Sequence, residues 1–214
     1  MKTVRPLAVL TALIALGACS TIERSRSLAD PATPAKTIAQ QVCSTCHGVT
    51  GNSINPSFPN LAAQQANYLT AQLKEFRGHS RLDPAGFEYM WGLSRSLSDE
   101  QIKGLADYYA KQSLATIDNT EDAALASEGK GIFEQGVTTA NVPPCTACHG
   151  VKGQGTEQFP RVAGQHADYL VKQLNVFQRT DGRPEGAIMK TVAHGLTLKN
   201  IEAVAAYLQG VAEK

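Results

Sequence analysis

Cys43-Ser44-Thr45-Cys46-His47 returns about a hundred residues later as Cys145-Thr146-Ala147-Cys148-His149, and each copy is followed by glycine. C-x-x-C-H is the attachment signature of a c-type haem. Two cysteines set two residues apart can each bond one vinyl group of a porphyrin, and the histidine that follows is then held beneath the iron as its proximal ligand. Two copies in matching surroundings predict two covalently bound haem c groups. Cys43, Cys46, Cys145 and Cys148 are the attachment residues, and His47 and His149 the iron ligands.

Aligning the two motifs brings other positions into register. Phe58-Pro59-Asn60-Leu61-Ala62 corresponds to Phe159-Pro160-Arg161-Val162-Ala163, Tyr68-Leu69 to Tyr169-Leu170, Gln72-Leu73 to Gln173-Leu174, and Met90 to Met189. This is duplication of one small domain, not a solenoid. Each copy reads as three main helices. The first precedes the haem motif, over residues 35–43 and 126–136. The second carries Leu69, Leu73 and Phe76, or Leu170, Leu174 and Phe177, at i, i+4, i+7 spacing. The third places Ile102, Leu105, Ala106 and Tyr109, or Ile201, Val204, Ala205 and Leu208, on one face. Ser98 with Gln101 forms a capping-box start, and Thr197 caps the counterpart. Loops rich in Gly, Pro, Asn and Ser fill 48–60 and 150–160, and no alternating strand pattern occurs. The expected fold is all-α, two tandem domains each built around one haem: domain 1 over 35–114, a linker over 115–125, domain 2 over 126–214.

A domain below about 100 residues buries little apolar surface and usually needs a staple. A covalent porphyrin supplies one, and an aromatic content of 6% fits a centre filled by a cofactor. The formal charge is +1; residues 19–118 hold nine groups of each sign, and 119–214 hold nine basic and ten acidic. That balance argues against a nucleic-acid partner and makes long-range steering modest.

Residues 1–18 read as an export signal, with Lys2 and Arg5 before the apolar run Pro6 to Leu16. The run is too short to cross a bilayer as a helix. It ends in Leu16-Gly17-Ala18-Cys19, which resembles the lipobox of bacterial lipoproteins. That resemblance implies cleavage before Cys19, its acylation, and, with Ser20 next, anchoring to the outer membrane from the periplasm; several acyl chains would suffice for a stable anchor. The alternative is a soluble protein cleaved after Ser27-Leu28-Ala29. Residues 19–34, with Pro31 and Pro34, read as a flexible tether.

A haem iron held by one histidine needs a second axial ligand or stays open to small molecules. Methionine is the usual partner in electron-transfer cytochromes. After residue 18 only Met90 and Met189 remain, in register and each ahead of the third helix, which marks them as the sixth ligands over core filling. His79, His166 and His194 lack counterparts of the same type and read as surface residues. The carbonyls of Pro59 and Pro160 are candidates to accept the second ring N–H of each haem histidine. Arg77, Arg81, Arg179 and Arg183 could meet haem propionates or simply be solvated. Tyr68 and Tyr169 direct hydroxyls to polar groups at the domain edge or fill core. Trp91 beside Met90 is matched by Lys190, which distinguishes the two haem surroundings.

The C-x-x-C-H-G motifs, the Phe-Pro-x-Leu/Val-Ala stretches, the Tyr-Leu-x-x-Gln-Leu helices and the late methionines resemble the di-haem cytochrome c4 family, from about residue 35 to the end. The resemblance implies two class I cytochrome c domains packed with their haems close together, shuttling electrons in the periplasm, often to a terminal oxidase. Donors such as a quinol-oxidising complex would be its redox partners, with no small-molecule substrate and no catalytic residue. Departures exist. Gly129 and Gly131 with Phe133 resemble the family's close helix crossing, but copy one has Ala35, Thr37 and Ala39 there. Copy two inserts Thr138 to Pro144 ahead of its motif. Two other functions compete with a non-catalytic carrier: a haem subunit of a larger oxidoreductase, such as a flavin sulfide dehydrogenase, and a haem peroxidase. The peroxidase would need an open iron and a distal acid–base pair, and no such pair is evident.

Overall fold

The computed structural model describes residues 27–117 and 123–211; the export signal, Cys19 and the first half of the expected tether lie outside them. In the first half of the chain, α1 (Ala35–Ile38) continues through a π-helical turn (Ala39–Cys43) into α2 (Ser44–His47). The chain therefore stays helical up to His47. α3 spans Ala66–Arg77, a second π-helical turn (Gly86–Met90) leads into α4 (Trp91–Ser94), and α5 spans Asp99–Ala110. The second half repeats this order with α6 (Ala123–Gln135), α7 (Thr146–His149), α8 (Ala167–Arg179), α9 (Ala187–His194) and α10 (Leu198–Gln209). Among the described residues there is no strand, only an isolated bridge between Val137 and Val142. The fold is all-α, as two tandem domains.

The predicted apolar stripes are the faces that go inside. Ile38, Leu69, Leu97, Ile102, Leu105 and Tyr109 form one core; Phe133, Leu170, Leu196, Ile201, Val204 and Leu208 belong to the other. Each such side chain contributes about 1.5–3 kcal/mol on full burial. Ser98 accepts from Gln101 N while Gln101 reaches back to Ser98 N, and Thr197 with Asn200 does the same, so both third helices start on a complete capping box.

Three features depart from the sequence reading. Each domain has a fourth, short helix carrying or following its methionine, where a loop was expected. The described part of the tether is not free chain: Thr33 is buried, Leu28 packs on the domain 1 core, and Gln101 Nε2 donates to Asp30 O and Thr33 O at 2.9 and 3.1 Å. The insertion in copy two breaks the helix that runs on in copy one. α6 stops at Gln135, Gly136 turns with φ +74°, and Val142 drops into the core at 3% exposure.

The terminal helices cross closely in both domains, contrary to what Ala35 suggested for copy one. A Cβ on Gly129 of α6 would meet Ala203 O of α10 at 1.9 Å; a Cβ on Gly104 of α5 would meet Ala35 Cβ at 2.6 Å. Gly104 and Ala203 are equivalent positions, so the glycine sits on the first helix in one copy and on the last helix in the other. Gly129→Ala is expected to destabilise domain 2 by about 3 kcal/mol, because a backbone oxygen cannot yield as a side chain can. Gly131→Ala, with nothing within 4 Å, should be neutral or stabilise by up to about 1 kcal/mol. Urea unfolding midpoints of the holoprotein decide both.

Candidate haem sites

Cys43 and Cys46 lie three residues apart on the π turn and α2, so their thiols share one helix face, with His47 one residue on. Cys145, at the cap of α7, repeats this with Cys148 and His149 on the helix itself. All four thiols are free and half-buried. Before the thioether links form, burial pushes the Cys43 and Cys145 thiols up to about 11. Both helices end on a glycine with positive φ, Gly48 at +73° and Gly150 at +79°, where a Cβ would strike Asn52 O at 2.2 Å or the Gln154 side chain at 2.4 Å. Only glycine turns the chain sharply enough here to fold the following loop back over the histidine.

That loop supplies the histidine's partner. His47 Nδ1 donates to Pro59 O at 2.9 Å, and His149 Nδ1 to Pro160 O at 2.8 Å, as the register of the two prolines predicts. A carbonyl can only accept, so Nδ1 carries the proton and Nε2 the lone pair. Burial lowers both imidazole pKa values and outweighs the opposing carbonyl bond, which keeps the rings neutral. Phe58 and Phe159 stand edge-on to the rings, with centroids at 6.2 and 6.1 Å.

Met90 ends the second π turn, and Ser94 Oγ holds its carbonyl at 2.6 Å; Met189 lies within α9. Both methionines are half-buried, on segments that pack against the second helix of their own domain. Histidine and methionine are thus held by separate elements. The flanking segments expose unusually large apolar groups, including Val49, Ile54, Phe87, Tyr89, Val151 and Ile188. Two free thiols on one helix face, a neutral imidazole with one nitrogen free, and apolar walls fit a covalently bound haem c in each domain.

Two such sites on one helical chain define a di-haem c-type electron-transfer protein. The Cytochrome c family profile matches residues 32–113 and again 126–212. The chain belongs to the cytochrome c family, in its di-haem cytochrome c4 branch, and carries two covalent haem c groups. It is 41% identical over 170 residues to cytochrome c-552 of Acidithiobacillus ferridurans, covering 79% of this chain and 73% of that one. It is 38% identical over 179 residues to cytochrome c4 of Stutzerimonas stutzeri, covering 79% and 84%. The solved cytochrome c4 of Acidithiobacillus ferrooxidans superposes with a TM-score of 0.73 at 41% identity, over 78% of this chain and 97% of that one.

The domain interface holds most of what sequence reasoning missed. Arg179 is exposed, and Arg77 serves its own domain by donating to Leu97 O at 2.9 Å. Arg81 and Arg183, by contrast, are buried between the domains at 3% and 7% exposure, which overturns the solvated reading for these two. Each lies over a phenylalanine of its own domain, Arg81 at 4.5 Å from the Phe76 centroid and Arg183 at 4.6 Å from Phe177. Each also reaches the glutamine of both second helices: Arg183 donates to Gln173 at 2.8 Å and Gln72 at 3.0 Å, Arg81 to Gln72 and to Gln173 at 3.2 Å. Tyr68 joins through Arg183 at 3.3 Å, at the domain edge as expected. His79 and His194 are surface residues. His166 is not: it is 7% exposed, with Nε2 2.9 Å from Ser53 O of domain 1.

Asp83 is the buried counter-charge of this cluster, with Oδ1 2.7 Å from Arg81 Nε and Oδ2 3.4 Å from Gln173 Nε2. Burial alone would raise its carboxyl; the Arg81 hydrogen bond and charge outweigh this and hold it below the usual value of 3.8. A depressed carboxyl stabilises the fold above its unfolded pKa, and that stability is lost as pH falls through the folded value. Asp83→Asn should cost roughly 3 kcal/mol at neutral pH and flatten the loss of stability below about pH 4. Denaturant titrations of both proteins from pH 3 to 7 would show whether the acid limb belongs to this group.

Proposed function

We propose that the chain is a periplasmic electron carrier with two haems, each bound between histidine and methionine: His47 with Met90, and His149 with Met189. Cys43, Cys46, Cys145 and Cys148 form the thioether links, and Cys19 carries the lipid anchor to the outer membrane. When bound, each haem supplies a one-electron couple. The protein's own groups do the rest. The proline carbonyls lock the imidazole tautomer, Phe58 and Phe159 stand edge-on to the rings on the proximal side, and the methionine segments would close the other side. A site closed on both sides has no place for a substrate, so the working surface is the haem edge and partner contacts are small and transient. Electrons would come from a quinol-oxidising complex and leave to a terminal oxidase. The observation that carries this reading is the recurrence, in both copies, of a neutral histidine fixed by a proline carbonyl together with one methionine in register.

A second reading has its own support. The chain is 33% identical over 173 residues to the thiosulfate dehydrogenase electron acceptor of Thiomonas intermedia, covering 78% of this chain and 76% of that protein. It also superposes on the thiosulfate dehydrogenase TsdBA of Marichromatium purpuratum, with a TM-score of 0.67 at 28% identity over 87% of this chain and 39% of that one. On this reading the carrier is a dedicated acceptor for one oxidising enzyme. Stable co-purification with a single dehydrogenase would favour it; reduction by several donors at comparable rates would favour the free carrier.

Optical and near-infrared magnetic dichroism spectra with a haem count test the ligand set. The holoprotein should show two low-spin His/Met haems that refuse carbon monoxide when reduced. Met90→Ala and Met189→Ala should each open one iron to carbon monoxide and lower one reduction potential, since thioether ligation raises it. Native spectra in both variants would remove the methionines from the ligand set.

A further inference from the structure

The Pro59–Asn60 peptide group is engaged at both ends. Its carbonyl accepts from His47 Nδ1 at 2.9 Å, and its N–H donates to Gln165 Oε1 of domain 2 at 2.8 Å. The Pro160–Arg161 peptide repeats the arrangement in the opposite sense. Its carbonyl accepts from His149 Nδ1 at 2.8 Å, and its N–H donates to Gln64 Oε1 of domain 1 at 2.8 Å. The glutamine amides are themselves pinned, Gln165 Nε2 on Asn60 O and Gln64 Nε2 on Arg161 O, both at 2.9 Å. Asn60, Gln64, Arg161 and Gln165 are each at most 8% exposed, so bulk water does not compete for these bonds.

A peptide group is planar and conjugated. Accepting its N–H shifts electron density toward its oxygen and strengthens the bond that oxygen receives; chains of hydrogen bonds polarise one another in this way. Here the oxygen receives a histidine ring N–H, and a stronger bond there makes the ring a better donor through its other nitrogen. We propose that Gln165 and Gln64 are positioning residues acting across the domain interface, each tuning the proximal histidine of the haem it does not share a domain with. The inference rests on His47 and His149 being the proximal ligands.

The two relays are not equal. Arg161 N–H has a second acceptor, Gln65 Oε1 at 2.9 Å. The residue in the place of Gln65 on the other side is His166, which bonds Ser53 O instead. Domain 1 therefore depends on Gln165, while domain 2 has two acceptors.

The test is a redox titration of the holoprotein followed by NMR, with each haem assigned through the backbone of its own histidine. Gln165→Ala should raise the potential of the domain 1 haem and speed exchange of the His47 ring proton, leaving the domain 2 haem unmoved. Gln64→Ala should raise the domain 2 potential by less, and adding Gln65→Ala should raise it further. Gln165→Glu keeps an oxygen acceptor for Asn60 N–H and should not raise the potential. Asn67→Ala removes an interdomain bond to Glu157 O outside the relay and should move neither haem. Unchanged potentials, equal shifts at both haems, or a shift confined to the substituted domain would overturn the proposal. Absence of histidine ligation in the unsubstituted holoprotein would instead sink the ligand assignment beneath it.

Discussion

A buried neutral imidazole keeps one ring nitrogen protonated and leaves the other free, and in each half of this chain a proline carbonyl decides which is which. Much of the local architecture follows from it. The helix carrying the cysteines has to end immediately after the histidine, and a glycine with positive φ ends it. The loop then has to return eleven or twelve residues later with a carbonyl facing inward, and proline stiffens the return. Because that carbonyl belongs to the peptide that also meets the neighbouring domain, the proximal loop and the domain interface are one construction.

The interface is polar yet buried. Its contacts are reciprocal, as in an isologous dimer: Asn60 with Gln165 answers Arg161 with Gln64, and Arg81 with Gln173 answers Arg183 with Gln72. No buried side-chain nitrogen or oxygen among the described residues lacks a partner. Such a network adds little net energy per bond, but any misdocking leaves several groups unsatisfied at 1–3 kcal/mol each. It therefore selects one relative placement of the domains more than it glues them together. In a di-haem electron-transfer protein, a single fixed placement sets the distance between the two centres.

The sequence was most legible where a periodic or repeated pattern stood behind each residue. Apolar stripes at helical spacing became the two cores, Ser98 and Thr197 became capping boxes, and the in-register prolines became the histidines' acceptors. Burial of Arg81, Arg183 and His166 was not legible, because part of what each one bonds to comes from the other copy and a local pattern shows them only as polar residues between helices. The short helices at the methionines were missed for a different reason: a π turn with four residues in one copy, and eight residues in the other, are too brief to display a clear period. The docking of residues 27–34 depends on Gln101, some seventy positions away, and no local signal announces it.

The glycine at the crossing of first and last helices has a consequence for the history of the two copies. In domain 1 the Ala35 β-carbon lies against Gly104, whereas in domain 2 Gly129 lies against the backbone carbonyl of Ala203. The position that must stay small has moved from the last helix to the first. The two halves therefore accept different substitutions at equivalent positions, and a change tolerated in one copy is no guide to the other.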